Sequence, residues 1–215
     1  MKHFKLITLL VTLLLSSSFL SGHSSSVRAS ALEEYQVVTF QPWYDELISH
    51  KGDDIISLPL GIDNQSELIE SIGNYLANNL SNVKYVDSNK HKNEMLTREH
   101  FSSLGKNQII IFQGHGSFEK DYGSLIWNGE WWDDSKIDTD PTFKADVEAG
   151  RIVETQFREA YSDKFISYYC PDLTGSIIYL GQCESGKDER LANAFLAKGA
   201  KAVIANSEVI QMVYG

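Results

Sequence analysis

Two reactive side chains stand at the ends of two similar apolar runs. One is the imidazole in Asn107-Gln-Ile-Ile-Ile-Phe-Gln-Gly-His115-Gly-Ser117, and the other is the thiol in Ser176-Ile-Ile-Tyr-Leu-Gly-Gln-Cys183-Glu-Ser-Gly186. The chemistry open to such a pair is nucleophilic: a thiolate attacks an electrophilic carbon while an imidazole takes up and returns the proton. Taken singly, a cysteine at a strand end is ordinary core and a histidine after a strand is an ordinary turn residue. Their conjunction is what points to a nucleophile with its base. Glycines at 114, 116, 181 and 186 leave the backbone around both groups free to bend and to approach a ligand closely.

Both runs are short and rich in Ile, the pattern of strands buried on two faces. If they are parallel neighbours, His115 and Cys183 lie at one carboxyl edge, where open α/β sheets carry their chemistry. The rest of the chain supplies the partners such a sheet needs. Asp54 to Leu60 reads as a first strand, and Asp63-Asn64 then caps a helix with Leu68, Ile69, Ile72, Tyr75, Leu76 and Leu80 on one face and Glu67 in capping-box position. Val83 to Val86 and Gln108 to Phe112 are strands, and Thr97 to Leu104 is a short helix. After Cys183, residues Asp188 to Lys198 form an amphipathic helix stopped by Gly199, and Ala202 to Ala205 a strand.

Strand and helix alternate at the spacing of βαβ units. The predicted fold is α/β, with a mostly parallel sheet flanked by helices on both faces. Two stretches stand apart from it. Leu32 to about Gly52 shows little period and reads as an entry segment lying across the domain. Between the two reactive groups, Tyr122 to Trp132 reads as a small β-hairpin insertion turning at Asn128-Gly129. An acidic loop follows, formed by Asp133, Asp134, Asp138 and Asp140, where calcium is a candidate ligand that no ligand pattern supports. Arg151 to Glu154 reads as a further small strand.

The 215 residues make one domain by length. Residues 1–31 stand outside it: Lys2, His3 and Lys5 precede an apolar run from Phe4 to Leu15, and a Ser-rich stretch leads to Ala29-Ser-Ala31, the pattern of a secretory signal with its cleavage site. The run is short for a stable membrane anchor. Removing it takes Lys2, Lys5 and Arg28 and no acid, leaving 16 basic against 29 acidic residues and a formal charge of −13. Such a surface repels phosphate backbones, so nucleic acid is not an expected partner. The expected location is extracellular, in solution or at the cell surface.

Cys170 and Cys183 are the two cysteines, and an even count in an exported protein makes a disulfide the standard alternative. The reading taken is two free thiols, because a bridge would consume the group that the glycines expose. No CxxC or HxxxH pair offers a metal site, and no cofactor is expected.

Gly114-His115-Gly116-Ser117 and Gly181-Gln-Cys-Glu-Ser-Gly186 resemble the motifs of the caspase-like cysteine peptidases, the group that includes legumain, gingipain, clostripain and the caspases. Leu191-Ala-Asn-Ala-Phe-Leu-Ala-Lys-Gly-Ala-Lys-Ala-Val-Ile-Ala205 is similar to the helix and strand that follow the nucleophile there, and the resemblance runs from Asp54 to the C-terminus. It implies a secreted endopeptidase acting on protein or peptide substrates through a Cys183 nucleophile and a His115 acid and base. It also implies an oxyanion hole of the Gly116 and Cys183 backbone N–H groups. Departures exist: Gly181 stands where clostripain-like enzymes carry Asp and legumain Glu. The counterpart of the charged pocket residue after the first strand is Asp63, which is either a helix cap or a ligand for Arg and Lys side chains. Ser207 to Gly215 is shorter than the family's C-terminal part, so the chain is either a minimal form or lacks part of the cleft.

Two other readings compete. A non-catalytic binding or scaffold protein would keep the fold without the activity. An esterase or thioesterase of the α/β-hydrolase kind would use Gly181-x-Cys183-x-Ser185 as its nucleophile turn, but that fold needs a histidine after the nucleophile, and none follows Cys183.

Overall fold

The computed structural model of the protein describes residues 34–42, 73–85 and 94–209. The expected signal segment, the strand at Asp54 to Leu60, the helix start and Asp63 lie outside the described residues. Among the described residues, five parallel strands form the main sheet: β1 (Tyr35–Phe40), β2 (Val83–Tyr85), β3 (Gln108–Gln113), β8 (Ile177–Gly181) and β9 (Ala202–Ala205), in the order β2-β1-β3-β8-β9. The mixed α/β class with a parallel sheet is therefore the observed one. β1 corrects one expectation, since Tyr35–Phe40 belongs not to a loose entry segment but to the sheet interior, bonded to β2 on one side and β3 on the other. Gln36 and Thr39 hide its apolar character, yet Thr39 is buried, and the Val, Thr, Tyr and Phe content is that of a strand.

Period-two alternation sends each strand's side chains into two cores. Ile109 and Ile111 of β3 join Val37 of β1 and Leu76 of helix α1 (73–79). Ile110 and Phe112 join Phe40, Ile178 and Leu180 on the other face, together with residues of α2 (Arg98–Ser102), α5 (Asp163–Tyr169) and α6 (Arg190–Ala197). The ring of Phe112 stacks on Phe40 at 5.2 Å and on Phe101 at 5.3 Å. Aromatic pairs of this kind are worth about 0.5–1.5 kcal/mol each beyond their buried area. They pin Phe112, one residue before β3 ends at Gln113, and so help fix where the chain leaves the sheet toward His115.

The segment between His115 and Cys183 forms a second, antiparallel sheet: β4 (Gly116–Glu119), β5 (Gly123–Trp131), β6 (Ile152–Thr155) and β7 (Arg158–Tyr161), ordered β4-β5-β7-β6. α3 (Ser135–Thr139) and α4 (Pro141–Glu148) connect β5 to β6. The expected hairpin turn at Asn128-Gly129 is corrected. β5 runs through it, with a register shift between Trp127 and Trp131. Gly129 takes φ +106, and the buried Asn128 carboxamide donates to Glu159 at 3.0 Å and accepts from the Glu130 N–H, so the pair makes a bulge and not a reversal. The acidic loop is likewise used locally: Asp140 accepts from the Thr142 and Phe143 N–H groups to cap α4, and Asp133 accepts from Ser135.

β4 and β6 are opposite edges of this sheet, yet Ser117 of β4 lies 3.3 Å from Thr155 of β6, oxygen to oxygen, and Thr155 donates to Glu119 at 2.8 Å. The sheet must curl until its edges face each other. Leu125, Val153 and Ala160 fill the concave side with Trp127 against them, while Ile126, Ile152 and Tyr161 face the main core.

Candidate active site

The last rung between β3 and β8 pairs Gln113 with Gly181. His115 lies two residues beyond Gln113 and Cys183 two residues beyond Gly181, so the parallel register delivers the loops that carry both groups to one carboxyl edge. The loops carrying them touch. A Cβ added at Gly116 would lie 2.9 Å from the Cys183 carbonyl oxygen, 2.9 Å from Gln182 Cβ and 2.9 Å from the Leu125 carbonyl oxygen. Only glycine permits that approach.

His115 sits at the junction of the two sheets. Its carbonyl accepts from the Trp127 N–H at 3.2 Å, and the Trp127 ring lies against the imidazole with centroids 5.3 Å apart. The indole is held in turn by an Nε1–H bond to Ser117 Oγ at 3.0 Å. Trp127 thus braces both the backbone and the ring of His115. Sequence reading assigned it only to a hairpin; the concave placement of Trp127 depends on the curl of the sheet, which leaves no local signal.

On the other side, Glu184 follows Cys183 with φ +53, an unfavourable conformation for a non-glycine residue that here reverses the chain. Its carbonyl accepts from Ser124 Oγ at 2.7 Å and its N–H donates to the Glu208 carbonyl at 3.1 Å. Arg190 fastens the same region to the β4–β5 turn, through Asp188 at 2.7 Å and the Asp121 carbonyl at 2.9 Å. Cys183 is half-buried.

Cys170 is a different kind of thiol. It closes α5, is 3 % exposed, and belongs to the main core; burial pushes its thiol up to about 12. It lies toward the amino edge of the sheet, since Leu173 N–H bonds the Lys198 carbonyl at 2.7 Å and the chain then enters β8. Five residues of β8 at about 3.3 Å each separate that edge from the start of the Cys183 loop, well beyond the roughly 7 Å Cα limit for a disulfide. Both cysteines are free.

Among the described residues no group of three or more His, Cys, Asp or Glu side chains is placed to hold a metal ion, and no helix is long and apolar enough to cross a membrane. A shallow concavity of about 280 Å³ lined by Ala149, Arg151, Lys164, Ser167 and Tyr168 takes no residue from the His115 or Cys183 loops. In comparison with known proteins, no family model and no curated protein matches the chain.

Proposed function

We propose that the chain is an exported cysteine endopeptidase of the caspase-like kind, with Cys183 as nucleophile and His115 as general acid and base. The observation that supports this reading is that the loops carrying the two groups leave adjacent parallel strands from the same rung at the carboxyl edge. The Cys183 thiolate attacks the carbonyl carbon of a peptide bond, its proton having passed to His115, and a tetrahedral oxyanion forms. The C–N bond then breaks as His115 gives that proton to the leaving amine, and a thioester remains on Cys183. Water, losing a proton to His115, attacks the thioester; the C–S bond breaks and the thiol is regenerated.

Backbone N–H groups of Gly116 and Cys183 stabilise the oxyanion. The ladder pattern supports the first: because Trp127 N–H bonds the His115 carbonyl, Gly116 and Ile126 form a non-hydrogen-bonded pair, and the Gly116 N–H is directed away from β5. The substrates are proteins or peptides outside the cell, with no cofactor required. If Asp63 lines the primary pocket, bonds after Arg or Lys are preferred.

The test is hydrolysis of a positional-scanning library of fluorogenic peptides by the purified protein. Cleavage abolished by stoichiometric alkylation of Cys183 is the expected result. Cleavage that survives complete alkylation, or no cleavage across the library, contradicts the proposal.

A further inference from the structure

The end of β8 is held by two polar groups, the buried Ser185 of the Cys183 motif and the half-buried Asn206 from outside both reactive motifs. Asn206, just past β9, donates through Nδ2 to the Leu180 carbonyl at 3.0 Å and to the Gln182 carbonyl at 3.3 Å. Ser185 Oγ lies 3.0 Å from each of the same two carbonyls and accepts from the Asn206 N–H at 3.2 Å. Ser185 and Gln182 are wholly buried. Four contacts therefore converge on two carbonyl groups, one of them that of Gln182, immediately before Cys183.

The consequence lies in the peptide unit that joins Gln182 to Cys183. A trans peptide is planar, with its N–H pointing opposite to its C=O, and no cis bond occurs among the described residues. With the Gln182 carbonyl turned inward onto Ser185 and Asn206, the Cys183 N–H is turned the other way. Rotating this unit would strip a buried carbonyl of both partners, which is unfavourable because a buried acceptor left unpaired has lost its water without replacement. The Glu184 turn, bonded to Ser124 and Glu208, removes the slack that would ease such a rotation.

We infer that Ser185 and Asn206 are positioning residues that aim the Cys183 N–H at the oxyanion, by holding the Gln182 carbonyl on the opposite side of the same peptide plane. This rests on the peptidase reading given above. It assigns Ser185 and the segment after β9 a part in the reaction although neither touches substrate.

The test uses Asn206→Asp, which keeps the shape of the side chain and loses its N–H donors, and Ser185→Ala. Four quantities are measured: kcat and KM on a fluorogenic peptide amide taken from the library, inhibition by the peptide aldehyde of the same sequence, and the rate of Cys183 alkylation by iodoacetamide. The aldehyde forms a tetrahedral oxyanion on Cys183, whereas displacement of iodide needs none. In either variant kcat falls on the order of tenfold to a hundredfold and aldehyde affinity falls in proportion, as for partial loss of an oxyanion donor. KM stays within about threefold, as for an interaction made only in the transition state. Alkylation stays within about twofold of the parent rate, because the thiolate itself is undisturbed.

Retention of kcat in both variants overturns the inference. So does a fall in alkylation that parallels the fall in kcat, which is the signature of a brace for the loop and nothing more. Where Asn206→Asp does not fold, Ser185→Ala decides between these outcomes alone. In the parent protein, iodoacetamide that fails to distinguish Cys183 from Cys170 removes the peptidase reading and the inference with it.

Discussion

Cys183→Ala is expected to lower kcat on a peptide substrate by about 10⁴-fold or more, to background, while the protein keeps its fold. The thiol is half-buried at a strand end outside the main core, so its removal costs less than about 1 kcal/mol of stability by area. His115→Ala gives a loss of similar size, because the leaving amine then receives no proton and the attacking water has no base. The double variant is no worse than either single one, since groups acting as a unit are lost together. Additive losses in the double variant would mean that the two groups act separately. Kinetics with thermal unfolding of the same samples keeps catalysis apart from stability.

Gly116→Ala is the second large effect. The new methyl meets three atoms at 2.9 Å, two of them backbone carbonyl oxygens in different segments, and none of these is the free end of a flexible side chain. The Cys183 loop and β5 must move apart, at a cost of about 1–3 kcal/mol. A shift of about 1 Å between nucleophile and base costs on the order of 10²-fold in rate. Denaturant unfolding should therefore show a lower midpoint, and the residual folded enzyme a fall in kcat. A variant with parental stability and activity would mean that the two loops do not pack together in solution.

The core of the site was legible because its strands are buried on both faces. Ile109, Ile110 and Ile111, and Ile177 and Ile178, write a nearly continuous apolar signal, and the pairing of those runs gives the position of both reactive groups. β1 was harder, because Gln36 and Thr39 interrupt it and a buried threonine reads as polar until its neighbours are known. Asn128-Gly129 carries the strongest short hairpin signal in the chain, yet Asn128 finds Glu159 and Tyr161 as buried partners, and that tertiary bonding outweighs the local turn preference. Ser185 was visible only as part of the Cys183 motif, without its bonding role, and Asn206 had no local signature at all. They are 21 residues apart, and their shared carbonyls become evident only once β8 and β9 are side by side. Trp127 belongs with them, since its place against His115 follows from the curl of the antiparallel sheet.

The most direct measurement of the central claim is covalent labelling of the parent protein with a peptidyl acyloxymethyl ketone between pH 6 and 9, read by mass spectrometry of the Cys170 and Cys183 peptides. Burial raises the Cys170 thiol to about 12, so across this range it stays protonated and shielded within the core. Label carried by Cys183 alone, and lost in His115→Ala, is the predicted result. Label shared by the two cysteines, or a Cys183 that reacts equally fast without His115, would contradict the account.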